Sequence, residues 1–277
     1  AHYPDPDENI TLLNEGKSPA HRRLIFDEFF FLELGLALRR SGTLMENGIP
    51  FPITHRYTKQ LRTLLPFALT PAQERVLAEI ESDMRQPHPM NRLLQGDVGS
   101  GKTIVALLAG LMAMEGGYQV AIMAPTEILA EQHYLNIHPL VEKLGFRASL
   151  LTGSLKRLEK DGSYARIRAG EVQVVIGTHA LIQEEVEFHR LGLAIIDEQH
   201  KFGVMQRAAL KKKGLTPDVL VMTATPIPRT LAMTLYGDLE VSVIDQLPPG
   251  RGAITTRVFQ EKERFRVYRT LREEIAK

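Results

Sequence analysis

The sequence contains no cysteine and has almost no net charge. Without cysteine, the chain cannot form a disulfide scaffold, a cysteine-ligated zinc site or a cysteine nucleophile, and its composition suits a reducing compartment. Its 34 basic and 33 acidic side chains give a formal net charge of +1. This balance excludes a histone-like, tail-driven nucleic-acid binder, although a local basic patch remains compatible with it.

The sequence also lacks a long apolar run. The most apolar segment, 24–38, is interrupted by three acidic residues, and the clean run 104–114 is too short to span a membrane. The first residues lack the basic and apolar regions of a signal peptide, so we expect no membrane partner. The chain starts without methionine and stops at Lys277. We therefore expect it to be a fragment of a longer protein.

Three segments follow from the patterns along the chain. Residues 1–65 are predicted to be a helical connector, whose main helix starts at Ser18-Pro19 and is stopped by Gly42. That helix is apolar on more than one face, so we expect it to lie between two bodies. Residues 66–245 form the main domain. Residues 246–277 are predicted to be a linker followed by the start of a second domain, with a strand at 254–259 and a helix at 261–276.

The main domain alternates helices with short apolar strands. This rhythm predicts an α/β fold in which a parallel sheet is covered by helices on both faces. Thr70, Thr126 and Ser154 are expected to cap intervening helices. The predicted strands are 92–95, 119–124, 148–152, 172–177, 193–197 and 219–223.

The strongest motif lies at 96–103 and matches the phosphate-loop pattern G-x-x-x-x-G-K-[ST] between a strand and a helix. Its glycines let backbone N–H groups converge on phosphate oxygens, and the helix N-terminus adds partial positive charge. We expect Lys102 to contact the β- and γ-phosphates and Thr103 to ligate Mg²⁺. A glycine-rich turn without a phosphate is the alternative, which the flanking strand and helix disfavour. The candidate nucleotide-binding residues are Gly96, Gly99, Ser100, Gly101, Lys102 and Thr103.

Two carboxylates, Asp197 and Glu198, follow the apolar strand 193–196. Ligands of open α/β sheets bind beyond the carboxyl ends of the strands, so both carboxylates are expected beside the phosphate loop. Asp197 would hold Mg²⁺ through its water shell, and Glu198 would orient the attacking water. The alternative is an acidic helix N-terminus. A zinc site at His200 is rejected because no cysteine or second histidine lies at ligand spacing.

Weaker signals lie at other strand ends and at one helix start. The hydroxyls of Thr223 and Thr225 suit hydrogen bonds to His200 or Glu198. The turns 124–127 and 177–180 offer N–H and hydroxyl groups to nucleic-acid phosphates, although ordinary caps and turns explain them equally well. At 70–73, a capping box is favoured locally over a Gln73 amide that contacts adenine.

Taken together, these motifs resemble the set of superfamily 2 helicases in order and spacing over about 67–245. Within that superfamily the chain is similar to the RecG family of bacterial DNA helicases. The similarity is carried by the stretches 95–103, 124–133, 177–182, 197–204, 223–230 and 247–251. The transcription-repair coupling factor has a related motor and is the alternative. Ser100 and Gln199 favour the RecG family, whereas Lys201 replaces an expected arginine.

The resemblance implies a RecA-like P-loop motor domain that uses ATP and Mg²⁺ to remodel replication forks and Holliday junctions. It also implies a wedge domain before this chain, a second motor domain after it, and a cytoplasmic, nucleoid-associated location. Lys102, Asp197, Glu198 and His200 would act in catalysis, and Gln73 would bind the nucleotide. The resemblance implies that Thr223, Thr225 and Arg229 couple the nucleotide state to movement. It also implies that DNA is bound by Pro125, Thr126, Gly177, Thr178 and His179.

Two further classes are alternatives. A P-loop GTPase should carry an N-K-x-D guanine motif, which the sequence lacks, and the residues 197–200 fit neither a GTPase nor a kinase. A non-catalytic nucleic-acid-binding module could use the basic cluster at 207–213. The intact Lys102, Asp197 and Glu198 argue against that module.

Overall fold

The chain divides into two compact units, Ala1–Leu247 and Pro248–Lys277. The computed structural model describes residues 9–197, 209–225, 239–248, 256 and 258–275. Within these ranges, no helix combines the length and the apolar character that a membrane crossing requires.

The first unit alternates helices and strands, as its sequence pattern predicts. Its α-helices whose bounds lie within the described residues are α1 (Ile10–Asn14), α2 (Pro19–Leu44), α3 (Arg56–Leu64), α4 (Pro71–Met84), α5 (Lys102–Glu115), α6 (Glu127–Lys143) and α7 (Arg157–Arg168). Its strands are β1 (Asn91–Gly96), β2 (Gln119–Met123), β3 (Ala148–Leu151), β4 (Val174–Gly177), β5 (Leu191–Asp197), β6 (Asp218–Thr223) and β7 (Glu240–Ile244). A short 3₁₀ helix, His179–Ile182, follows β4.

The seven described strands form one sheet in the order β3-β4-β2-β5-β6-β1-β7, and the pairings between them are parallel. Parallel neighbours need crossover connections, which the helices supply. Because all strands run the same way, their carboxyl ends meet at one edge of the sheet. This arrangement confirms the predicted α/β class, and the long α2 helix precedes it.

Two apolar cores lie on opposite faces of the sheet. Alternate residues of a strand point to opposite faces. Leu193 and Ile195 of β5 therefore pack into the core formed with α3, α4, α5 and α6, while Ala194 and Ile196 pack into the core beside α7. In the first core, every residue from Val105 to Met114 of α5 is buried. The helix that follows the phosphate loop is thereby fixed against the sheet.

All six predicted strands are present, and their bounds differ only slightly from the prediction. The edge strand β7 was not predicted. Its burial alternates weakly, and its buried Ser242 is polar and accepts a 2.7 Å hydrogen bond from Nη1 of Arg92. A strand held by such a contact lacks the apolar alternation that identifies strands in a sequence.

Two predicted helix boundaries were wrong. Helix α2 does not stop at Gly42 but continues to Leu44. A glycine inside a helix costs only about 1 kcal/mol, and the hydrogen bond from Met45 N to Ser41 O carries the helical turn past it. Ser154 does not cap α7, which begins three residues later with Lys156 as its N-cap; the Ser154 hydroxyl instead lies 3.1 Å from Thr152 Oγ1.

Helix α2 starts at Pro19 as predicted and is 26 residues long. Its aromatic side chains are largely exposed, including Phe26 at 57% and Phe31 at 69%. Phe26 stacks on Phe30 with ring centroids 5.8 Å apart. The expectation that this helix lies between two bodies stays a prediction.

The second unit contains a short 3₁₀ helix, Glu261–Glu263, followed by α8 (Arg264–Ile275). The helix predicted at 261–276 is thus confirmed within the described residues. The strand predicted at 254–259 was wrong where it is described, since residues 256, 258 and 259 are not in a strand. Residues 254, 255 and 257 lie outside the described part of the chain. An isolated strand has no ladder partner, which explains why an apolar pattern alone does not form one here.

Candidate functional site

Three candidate motifs start at neighbouring strand ends. In the order β5-β6-β1, Asp197 pairs with Met222, and Thr223 pairs with Gln95. Since neighbouring strands lie about 4.8 Å apart, the carboxyl ends of these three strands fall within about 10 Å of one another. The strand order therefore places the Asp197 carboxylate and the Thr223 hydroxyl at the sheet edge where the phosphate loop begins.

The phosphate loop has a backbone that needs its glycines. Gly99 and Gly101 have φ angles of +79° and +86°, in the left-handed region that favours glycine. Gly101 is also the N-cap of α5, and a Cβ there would lie 2.2 Å from Gln73 Nε2. Because glycine has no side chain to cap the helix, the N-terminus of α5 presents its N–H groups toward the loop.

Lys102 bends back into this loop. Its ammonium Nζ donates hydrogen bonds to the carbonyl oxygens of Gly96 at 2.7 Å and Asp97 at 3.0 Å. The side chain of Ser100 is fully buried, and its Oγ has no hydrogen-bond partner among the described residues. A cation, a helix N-terminus and an unsatisfied buried hydroxyl that face one loop fit a phosphate chain. The residues present therefore suit ATP.

Gln73 closes the loop from the α4 side. The predicted capping box is confirmed: Thr70 N donates to Gln73 Oε1 at 2.8 Å, and Gln73 N donates to Thr70 Oγ1 at 3.2 Å. The other end of the amide was not predicted, since Nε2 donates to the Ser100 carbonyl oxygen at 2.7 Å. With 1% exposure, Gln73 connects the start of α4 to the phosphate loop. Its contact with adenine stays a prediction.

The end of β7 and the residues after it also hold the start of α4. The Gln246 side-chain oxygen accepts a hydrogen bond from Ala72 N at 3.2 Å. Arg75 donates to the Val243 carbonyl oxygen and to Asp245 Oδ1, at 2.9 and 3.0 Å. The hydrogen bond from Arg75 lowers the pKa of the Asp245 carboxyl. These contacts could not be predicted, because they join residues about 170 positions apart.

Asp197, the last residue of β5, has a partner that was not predicted. Its Oδ2 lies 2.8 Å from Nε2 of His133, which is on α6. The two side chains are only 13% and 11% exposed. The sequence contains one signal for this contact, since His133 shares the buried face of α6 with Ala130, Ile137 and Val141. A histidine on an apolar face needs a polar partner.

Four residues that the sequence singled out lie outside the described residues: Glu198, Gln199, His200 and Arg229. In the turn after β6, Thr223 is buried, and its Oγ1 accepts a hydrogen bond from Thr225 N at 3.2 Å. The predicted bonds between these hydroxyls and His200 or Glu198 stay predictions. Thr103 at the start of α5 stays a predicted ligand of Mg²⁺.

The two candidate DNA-binding turns are joined to each other. Ala124 N, after β2, donates to the Gly177 carbonyl oxygen at the end of β4, at 2.8 Å. Gly177 cannot be replaced without movement, because a Cβ there would lie 2.1 Å from the Leu151 carbonyl oxygen. The neighbouring Thr178 is buried, and its Oγ1 has no partner in the described part of the chain.

The first of these turns caps α6 and contacts a third loop. Thr126 Oγ1 accepts a hydrogen bond from Leu129 N at 3.3 Å, so the predicted cap is confirmed. Glu127 Oε1 accepts from Ser154 N at 3.0 Å, and the hydrogen bonding with Ser154 lowers the pKa of the Glu127 carboxyl. Pro125 precedes this cap, and His179 begins the 3₁₀ helix of the second turn. The sequence pattern singled out Ser154 only as a helix cap, so the place of the loop 152–154 at this edge was not predicted.

A protein-family model described as DEAD/DEAH box helicase matches residues 70–234. The chain belongs to the DEAD/DEAH box helicase family. The match begins at the Thr70 capping box and covers the phosphate loop, the Asp197 strand end and the Thr223 turn. The predicted RecA-like helicase fold is thereby confirmed, whereas the bounds 66–245 of a first motor domain stay a prediction.

Among its relatives are ATP-dependent DNA helicases named RecG. The chain is 52% identical to that of Synechocystis sp. over 276 residues, which is 99% of this chain and 32% of the relative. It is 48% identical to that of Aquifex aeolicus, over 98% of this chain and 34% of the relative. The chain thus spans about a third of the length of these relatives. This likeness confirms the predicted resemblance to the RecG family.

Solved structures agree with this placement. A structure described as RecG bound to a three-way DNA junction matches with a TM-score of 0.79 and 45% identity, covering 92% of this chain and 34% of that one. The DEAD-box helicase Mss116 bound to single-stranded RNA matches with a TM-score of 0.54 and 16% identity, over 69% of this chain and 43% of that one. At that identity the second match shows the fold alone.

Proposed function

We propose that this chain is the first motor domain of an ATP-dependent DNA helicase that remodels branched DNA, such as stalled replication forks and Holliday junctions. The observation that carries the proposal is the phosphate loop, which lies beside Asp197 and Thr223 at one edge of the sheet. The chain that contains it shares about 50% sequence identity with a RecG helicase over nearly the whole length of this chain. The solved relative bound to a three-way junction supports branched DNA as the substrate.

In this proposal, the phosphate loop 96–103 binds the nucleotide. Lys102 would face the β- and γ-phosphates, and Thr103 and Asp197 would hold Mg²⁺. The metal supplies charge neutralisation at the phosphate oxygens when it is bound. Glu198 would orient the attacking water, and His200 would act beside it in catalysis. Thr223, Thr225 and Arg229 would couple the nucleotide state to movement.

At the same edge of the sheet, the carboxyl ends of β2 and β4 would bind DNA. The joined turns after β2 and β4 offer Pro125, Thr126, Gly177, Thr178 and His179 to a phosphate backbone. Contacts of this kind position a protein on nucleic acid without reading its sequence, which suits a translocating motor. The buried Thr178 hydroxyl without a described partner is an independent sign that this edge accepts a ligand.

We further propose that 1–65 is a connector, 66–245 the first motor domain and 246–277 a linker that leads into a second motor domain. A wedge domain would precede the connector. Phosphoryl transfer in this class needs charge from both sides of the nucleotide, and an arginine finger supplied by another domain accelerates it by about 10³–10⁵. We expect a bacterial protein that acts at the nucleoid in the cytoplasm.

The first experiment measures binding of a fluorescent ATP analogue with MgCl₂ to the 277-residue chain. Replacing Lys102 by Ala removes charge-assisted hydrogen bonds worth about 1.5–3 kcal/mol, so the affinity should fall about 10- to 150-fold. The control is Lys59→Ala, an exposed lysine on α3, which should leave the affinity unchanged. Equal affinities of wild type and Lys102→Ala would contradict the phosphate-loop assignment.

The second experiment tests the reaction. The full-length protein that contains this chain should hydrolyse ATP faster with forked DNA than with linear duplex, and Lys102→Ala should abolish that hydrolysis. The 277-residue chain alone should show almost no DNA-stimulated turnover. Comparable turnover by the two proteins would show that no other domain supplies a catalytic group.

A further inference from the structure

The contact between His133 and Asp197 joins two elements that are far apart in the sequence. Asp197 ends β5, and His133 lies in the second turn of α6, which begins directly after the adjacent strand β2. Nε2 of His133 is 2.8 Å from Oδ2 of Asp197. Because an ionised carboxylate only accepts hydrogen bonds, the imidazole is the donor, and its hydrogen is on Nε2.

The environment of this pair makes the contact rigid. Both side chains are nearly buried, so water does not compete with their hydrogen bond as it does at an exposed ion pair. The imidazole is packed on the buried face of α6 beside Ala130 and Ile137. Its orientation is therefore set by the core, and it restricts the rotation of the Asp197 carboxylate.

This restriction matters because of the role proposed for Asp197. A carboxylate that faces a metal through water contributes only if its oxygens keep a fixed direction, and partners behind metal-binding groups supply that direction. Among the described residues, the hydrogen bond that His133 donates to Asp197 is the side-chain contact that can do so. The ordinary alternative is a buried histidine that only needs an acceptor.

We infer that His133 is a positioning residue that orients the Asp197 carboxylate toward the magnesium–nucleotide complex. The inference rests on the proposed function, since it assumes that Asp197 holds Mg²⁺. The hydrogen bond from His133 also connects the Asp197 carboxylate to α6, the helix that begins at the proposed DNA-binding turn 124–127. His133 itself touches neither the nucleotide nor DNA in this assignment.

The test measures the affinity of the 277-residue chain for a fluorescent ATP analogue across a MgCl₂ titration. His133→Leu keeps the apolar contacts but removes the N–H, so the Mg²⁺ concentration at half-maximal binding should rise about tenfold. The affinity without Mg²⁺ should stay unchanged. His133→Gln carries an amide N–H at the position of Nε2 and should restore the wild-type midpoint to within about twofold.

The matched control is His138→Leu. His138 is on the same helix and also pairs with a carboxylate, since its Nε2 lies 3.0 Å from Glu142 Oε1. It points away from the buried face, so its loss should not move the Mg²⁺ midpoint. If His133→Leu does not fold by circular dichroism, His133→Asn replaces it, because that shorter amide cannot reach Asp197.

Three results would separate the inference from its alternatives. A Mg²⁺ midpoint that is the same in wild type and His133→Leu would overturn it. An equal loss in His133→Leu and His133→Gln would also overturn it, because the ring would then act through its shape. A wild-type chain that binds no nucleotide at all would instead contradict the proposed function itself.

Discussion

The buried amide of Gln73 is the best place to test how the phosphate loop is held. Its Oε1 accepts from Thr70 N at 2.8 Å, and its Nε2 donates to the Ser100 carbonyl oxygen at 2.7 Å. Gln73→Ala would leave both backbone groups without their partner, in a region where Thr70 and Ser100 are buried. An unsatisfied buried group costs about 1–3 kcal/mol, so the loss of both partners should lower the free energy of unfolding by about 2–6 kcal/mol.

Two further variants separate the two ends of this amide. Thr70→Ala removes only the hydroxyl that accepts from Gln73 N, so it should cost about 1 kcal/mol, as for a typical N-cap. Gln73→Glu keeps the acceptor for Thr70 N but replaces the donor to Ser100 by an oxygen. That oxygen would face the Ser100 carbonyl oxygen, so this variant should weaken nucleotide binding more than Thr70→Ala does.

Urea denaturation followed by circular dichroism gives the free energies of unfolding, and titration of a fluorescent ATP analogue gives the affinities. A Gln73→Ala variant destabilised by no more than Thr70→Ala would contradict the two buried hydrogen bonds assigned to this amide. Nucleotide binding by Gln73→Glu as tight as that of wild type would show that the contact with Ser100 has no bearing on the loop.

Two other substitutions test residues at strand ends, Gly177 at the end of β4 and Asp218 at the start of β6. Gly177→Ala should lower the melting temperature by several degrees, because its Cβ would lie 2.1 Å from the Leu151 carbonyl oxygen. The control is Gly162→Ala in α7, which has no atom within 4 Å of the new Cβ and should leave the melting temperature unchanged or raise it. Equal shifts of the melting temperature in the two variants would contradict the close contact at Gly177. Burial raises the pKa of the Asp218 carboxyl well above 3.8, and Asp218 Oδ1 accepts from Met90 N at 2.8 Å. Since the folded pKa exceeds the unfolded pKa, the stability contributed by Asp218 is fully present below about pH 4 and is lost as pH rises toward the folded pKa. Asp218→Asn should therefore be more stable than wild type at pH 7 and not at pH 4 in urea denaturation, and a constant difference across this range would argue against a buried carboxyl as the cause.

Local sequence patterns were enough to predict most of the helices and strands and the chemistry within several of them. Short apolar runs predicted the strands β1 to β6, and the spacing of glycines, Lys102 and Thr103 predicted the phosphate loop. Thr70 and Thr126 were correctly predicted as helix caps. These features depend on residues a few positions apart, since caps, strand alternation and loop conformation are local properties of the backbone.

The tertiary structure decided which strand ends meet and which side chains face one another. The order β5-β6-β1 brings Asp197, Thr223 and the phosphate loop to one edge, although about 130 positions separate the loop from Thr223. The partners of Gln73 and Asp197 also follow from packing, because a hydrogen bond between Gln73 and Ser100, or between His133 and Asp197, exists only once the helices lie on the sheet. A local pattern shows at most that a buried side chain such as His133 needs a polar partner. It does not identify that partner, which is set by packing of the apolar cores on both faces of the sheet.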